Sequence, residues 1–284
     1  MTAPTPYASA TEPRARFRDL LAAEWIKLWS LRSTYWVLGG GALTVVGINV
    51  NSARSNAVRL TDRPELPPGP GPDSAYQFDP LSTAFVDPAW QLLMVVAGAV
   101  GALAVSGEYA SGLIRTTFAA VPDRRAVMMA KAAVVGAVVL VLGAVVSAAS
   151  FGATQAVLRE HGGLSAGDPG ALRAVFASAL LAPLCALVGM ALGAVVRHTA
   201  GTVVAVVGVL LLLPALFVGE TYRWVAEIGN AMPLAAWEAL VRNPGRAHPP
   251  ETYPVTAAEA WGVFAAWSFV SVALALGAVG RRDL

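Results

Sequence analysis

Cysteine, histidine and lysine are nearly missing from this 284-residue chain: one, three and two, the last beside 18 arginines. The single cysteine, Cys185, lies inside an apolar run. It has no partner for an intramolecular disulfide and no C-x-x-C neighbour for a metal, and it reads as a small buried apolar residue. His161, His198 and His248 fall in expected loops far apart in sequence, without H-x-x-x-H or histidine–carboxylate spacing. A G-x-S-x-G elbow, a Walker lysine motif and a Gly-rich dinucleotide turn are all missing, so no catalytic, cofactor-binding or metal-binding constellation is expected. Charge is scarce as well: 13% of residues are charged against about 25% in soluble domains. The formal net charge of +2 provides no basic field for nucleic acid. The scarcity of lysine beside arginine, with the richness in Ala, Gly and Val, reads as coding bias. No cleaved leader is expected, because the first thirty residues mix acids with bases and no short apolar core ends in a small-residue cleavage site.

What the chain has is apolar residues, 56% of the total, with a mean hydropathy of +0.59. They sit in long uncharged runs and not in a 3.6- or 2-residue alternation, which excludes a water-soluble domain and a disordered chain. The fold class expected is an all-α integral membrane protein forming one transmembrane domain over 1–284. Six stretches approach the roughly 20 helical residues that cross a hydrocarbon core: 34–50, 88–107, 132–151, 174–196, 199–219 and 260–280. The third carries no charge from Ala132 to Leu158; the first is short, with Gly39, Gly40, Gly41 and Asn49. Small residues four apart, Gly189 with Gly193 and Ala273 with Gly277, favour close helix approach in lipid. Pro183 and Pro214 are expected to kink their spans.

Twelve of the 20 basic residues fall on segments that are cytoplasmic if the N-terminus is inside, and 12 of the 18 acidic residues fall on the other side. The positive-inside rule then places both termini in the cytoplasm. Residues 51–87, with Pro64, Pro67, Pro68, Pro70 and Pro72, read as an exposed outer loop. Residues 220–258 read as an outer segment carrying one or two short interfacial helices, with Pro233 in a first turn and Trp224 and Trp237 at headgroup level. The spans hold essentially no ionisable residue in their middles. That argues against an ion-coupled carrier and an intramembrane enzyme, and any energy for movement would arrive from outside the chain.

Two cytoplasmic features stand out. Residues 14–32 place Phe17, Leu20, Leu21, Leu28 and Leu31 on one helical face and Arg16, Asp19, Ala23, Lys27 and Ser30 on the other. With Trp25 and Trp29 this reads as an amphipathic interfacial helix, either a plain anchor or a docking element. Glu24 lies within its apolar arc, can pair with Lys27, and needs a partner. Residues 108–126 are too apolar for a solvated loop. Residues 106–118 can continue the second span as a helix, which Pro122 ends before Asp123 caps the next. The resulting short helix, with Tyr109, Leu113, Ile114 and Phe118 beside Glu108 and Arg115, fits a groove on a soluble partner; a topogenic loop is the other reading.

The run Glu108-Tyr-x-x-Gly112-x-x-Arg115-x-Thr117, followed by Pro122-x-Arg124-Arg125 and Lys131, resembles the signature after the second span of permease subunits of type-2 ATP-binding-cassette (ABC) transporters. Glu24-x-x-Lys27, the six spans and the short helices before span six resemble the same family, and Leu113 departs from the threonine common there. The resemblance implies a non-catalytic permease subunit in a bacterial plasma membrane, working most often in export. Such a subunit pairs with a second copy or a paralogue and with two separate ATPase subunits, which hold ATP and Mg. It further implies that 108–126 is a coupling helix, with Glu108, Tyr109, Gly112 and Arg115 in the ATPase contact and Pro122, Arg124 and Arg125 shaping the turn. Glu24 and Lys27 would lie on an N-terminal docking helix. A stand-alone channel or carrier, and a membrane scaffold that recruits a soluble partner, are the alternatives; substrate and direction are not encoded legibly.

Overall fold

The computed structural model describes residues 16–62, 78–219, 221–246 and 251–281, and within these every regular element is helical. In chain order they are α1 Phe17–Ser30, α2 Arg32–Asp62, α3 Pro80–Ala84, α4 Asp87–Ala110, α5 Leu113–Ala120, α6 Arg124–Val157, α7 Ala171–Val196, α8 Thr199–Val207, α9 Leu213–Leu216, α10 Arg223–Asn230, α11 Pro233–Val241 and α12 Ala257–Arg281. A π turn at Gly208–Leu212 joins α8 to α9 just ahead of Pro214, whose missing N–H cannot serve the regular ladder. Among the described residues, five segments are long and apolar enough to cross a membrane: Pro80–Ser111, Arg124–Val157, Ala171–Val196, Thr199–Leu216 and Ala257–Gly280. The chain is therefore read as a multi-pass membrane protein. The stretch 34–50 lies within α2, which does not reach that standard, because Gly39, Gly40, Gly41, Asn49 and Asn51 dilute its apolar content.

Helix α7 is the centre of the bundle, packed against α4, α6, α8, α11 and α12. It is apolar on all sides, as a helix surrounded by other helices must be. Its crossing with α4 depends on glycine. A Cβ at Gly189 would lie 1.9 Å from the Gly98 carbonyl oxygen, and one at Gly101 would lie 1.9 Å from that of Ala186. These are backbone-to-backbone contacts that only glycine permits. Gly277, by contrast, faces open space, so the Ala273–Gly277 pair makes no such contact.

Buried polar residues find partners inside the bundle, as they must away from water. Asn49 is fully buried: its Nδ2 donates to Ser150 Oγ at 3.1 Å and its Oδ1 accepts from the Val86 N–H at 3.2 Å. Beyond residue 50, α2 continues as helix to Asp62, and α3 is buried against the bundle. The proline run expected as a loop, 64–72, lies outside the described residues. The segment after α9 does form two short helices, α10 and α11, but its two tryptophans differ. Trp224 stays exposed, whereas Trp237 is fully buried, donates from Nε1 to Ser178 Oγ at 2.9 Å and lies 5.8 Å from the Trp90 ring. Arg173 fixes α11 in place, donating to the carbonyls of Leu240 (2.9 Å) and Arg242 (2.5 Å) at its C-terminal end.

Candidate functional site

Helix α1 presents to α6 the inward row Leu20, Glu24 and Lys27, spaced as one face of a helix, while Trp25 and Ile26 point out. Lys27, expected on the polar face, is the member that departs; Arg16, Asp19, Ala23 and Ser30 of that face remain exposed, and Glu24 stays in the inward arc as expected. Glu24 meets two lysines. Lys27 Nζ donates to Glu24 Oε1 at 2.8 Å, and Lys131 Nζ, from the first turns of α6, donates to Glu24 Oε2. The same two ammonium groups converge on Glu108 Oε1 near the end of α4, Lys131 at 2.8 Å and Lys27 at 3.0 Å. The result is a closed, formally neutral network of two carboxylates and two ammonium groups that joins α1, α4 and α6.

Burial grades the four members. The Lys131 and Glu24 side chains are each 5% exposed and that of Glu108 11%, whereas that of Lys27 is 28% exposed. Burial alone would lower the pKa of Lys27. Its hydrogen bonds and charge interactions with Glu24 and Glu108 outweigh that and raise it above the ordinary lysine value. A buried ion pair is favourable only when each charge has its partners, and here each has at least two.

One turn past Glu108 the chain changes direction. Ser111 closes α4, its N–H and Oγ both reaching the Gly107 carbonyl at 3.0 and 2.9 Å. Gly112 then takes the left-handed conformation, φ +72°, and α5 starts at Leu113 as a separate helix. The continuous helix expected over 106–118 is thus broken at Ser111-Gly112. Helix α5 buries Ile114 and Phe118 and turns Leu113, Arg115, Thr116 and Ala119 outward. Pro122 stands in the turn, and Asp123 Oδ1 accepts from the Ala126 N–H at 3.0 Å to start α6. The Arg124 guanidinium lies over the Phe118 ring at 5.5 Å, and Arg125 remains exposed. Tyr109 is half-buried beneath Arg197, whose guanidinium is 4.8 Å from the ring centre and also donates to the Ala278 carbonyl at 3.2 Å. Arg197 holds a positive φ of 57° at the end of α7 and so ties α7 and α12 to the end of α4.

The residues singled out from sequence therefore separate by position. Glu24, Lys27 and Glu108 share one network; Tyr109 stands beside it; Gly112, Arg115, Pro122, Arg124 and Arg125 form the projecting helix and its turn. From the sequence, Lys131 stands only at the end of the run that carries the resemblance, without a role, and Arg197 has no place in a site. The available signal for Lys131 is a lysine inside the buried start of a span, with two unmatched carboxylates elsewhere. Among the described residues no group of three or more His, Cys, Asp or Glu could hold a metal ion. No protein-family model and no curated protein matches the chain.

Proposed function

We propose that the chain is the membrane-spanning, non-catalytic permease subunit of an ATP-driven ABC transporter, working in export across a bacterial plasma membrane. In this reading α2 supplies a sixth crossing, both termini are cytoplasmic, and α5 is the coupling helix. Two separate ATPase subunits bind ATP and Mg, and a second permease copy or a paralogue completes the pathway. Helix α2, at 31 residues and about 46 Å, is long enough to span, and its buried Asn49 is satisfied within the bundle. The arginine distribution supports the orientation.

The observation that carries the reading is the charge network at the base of α5. Helix α5 offers a partner Leu113 and Arg115 on its outer face, while Ile114 and Phe118 hold its inner face to the bundle. Four residues before Gly112, Glu108 is held by ammonium groups from α1 and α6. A push on α5 therefore reaches three helices at once, because displacing α4 alone would pull Glu108 from both lysines and leave buried charge unpaired. The pair α1 and α6 then moves with α4 as one body, as a rigid-body gate needs.

The test is ATP-driven efflux from vesicles holding the reconstituted complex. Gly112→Pro forces φ near −65° where +72° is required and should abolish coupled transport with insertion unchanged. Arg115→Glu should weaken ATPase stimulation without disturbing the buried network. Wild-type transport in both variants would sink the coupling assignment.

A further inference from the structure

Between α1 with the start of α2 on one side, and the last half of α4 on the other, lies a groove of about 380 Å³ floored by Lys131 and Val135 of α6. Its α4 wall runs from Val100 to Ser111, about 17 Å at the helical rise. Polarity changes along that length. Lys27 and Glu108 lie at one end, and Val37, Val100 and Val135 toward the other. Leu31, Val37 and Leu103 stand exposed at the rim, so the groove opens between side chains that water wets poorly.

The polar end is neutral in sum yet dipolar in detail. Lys27 uses two of its three N–H donors on Glu24 and Glu108, and its ammonium is the less buried of the two lysines. Glu108 receives both lysines on Oε1, and among the described residues Oε2 has no donor. One spare cationic donor and one spare carboxylate oxygen, side by side above an apolar trough, complement a zwitterion with an apolar tail. An anionic headgroup would satisfy the lysine and face the carboxylate unmatched; an uncharged amphiphile would use neither.

We propose that this groove binds one zwitterionic, amine-bearing phospholipid, its phosphate on Lys27, its ammonium on Glu108 Oε2 and an acyl chain along Val37, Val100 and Val135. The proposal needs the chain to sit in a bilayer and does not need it to transport anything, so the two readings can fail separately. The network thereby gains a second role, because the lipid bridges α1 and α4 at the point where α5 begins.

The experiment places the full chain in nanodiscs doped with phosphatidylethanolamine carrying an acyl-chain diazirine, and maps the photo-adducts by peptide mass spectrometry. Parallel discs carry phosphatidylglycerol or a phosphate-free diacylglycerol with the same diazirine. The expected result is labelling at 31–37 and 100–107 about tenfold above the exposed Phe269 and Leu274 of α12, the scale of one charge-assisted hydrogen bond. The phosphatidylglycerol probe should label the groove less and the diacylglycerol probe no more than α12. Ala104→Trp, which fills the groove and leaves the network intact, should remove the enrichment; Glu108→Gln should remove the preference for the amine headgroup. Equal labelling of groove and α12, equal labelling by all three probes, or enrichment surviving Ala104→Trp would each overturn the proposal.

Discussion

Replacing Lys131 by Met removes the ammonium that both buried carboxylates share. Glu24 Oε2 and Glu108 Oε1 each lose a donor, and Lys27 is left to balance two charges, so the site changes from neutral to net negative. Breaking a buried pair by deleting one partner costs about 3–5 kcal/mol, chiefly as unpaired buried charge. Lys27→Met removes the same formal charge from a position open to water and should cost less, about 1–3 kcal/mol. Adding Glu24→Gln to Lys131→Met restores neutrality and should recover about 1–3 kcal/mol, a coupling expected only for residues acting as one unit. The assay is the SDS-induced unfolding midpoint of the purified chain in mixed micelles, read for wild type, the single variants and the double. A Lys131→Met loss under about 1 kcal/mol, or strict additivity in the cycle, would refute the claim that the four residues form one buried unit.

Three further outcomes follow from other parts of the molecule. Gly189→Ala puts a Cβ 1.9 Å from the Gly98 carbonyl and should lower stability by about 3 kcal/mol, whereas Gly277→Ala, in open space, should be neutral or slightly stabilising by the same assay. Trp237→Phe keeps an aromatic ring but orphans Ser178 and should cost about 1–2 kcal/mol, visible also as lost packing of α11 in limited proteolysis. Glu238, on α11, is exposed at the surface. Desolvation first, then the nearby Asp87 carboxylate, push its carboxyl up to about 7 against an attraction from Arg242. A carboxyl raised in the folded state binds its proton more tightly there, so stability is highest below its unfolded value near 4.5 and falls as pH rises toward 7. Glu238→Gln should flatten that fall and leave stability at about pH 4 unchanged.

The membrane segments are legible in the sequence because lipid demands long uncharged runs, and five of the six stretches expected to span coincide with helices of sufficient length and apolarity. The remaining one reads ambiguously in sequence and in structure for the same reason, the glycines and asparagines of α2. The need of Glu24 for a partner is legible too. One partner, Lys27 three residues on, is legible as well; the second is not, since Lys131 is 107 residues away and reads by itself as a basic flank of the third span. Helix α1 departs from expectation at Lys27, which leaves the exposed face of Arg16, Asp19, Ala23 and Ser30 to join Glu24 on the inward row. The break at Gly112 is hidden by flanking residues that suit a helix, and only the left-handed glycine separates α4 from α5. Trp237 suits an interfacial anchor as well as a core, since an indole fits both places; Ser178, a buried hydroxyl in an otherwise apolar helix, decides it.

The most direct measurement of the proposed role is copurification from the native membrane in mild detergent, with partners identified by mass spectrometry. The account predicts an ABC ATPase subunit, present at one per permease chain, held by wild type and by Ala104→Trp but released by Arg115→Glu on the outer face of α5. Recovery of the intact chain with no nucleotide-binding partner, or an ATPase that Arg115→Glu leaves in place, would contradict it.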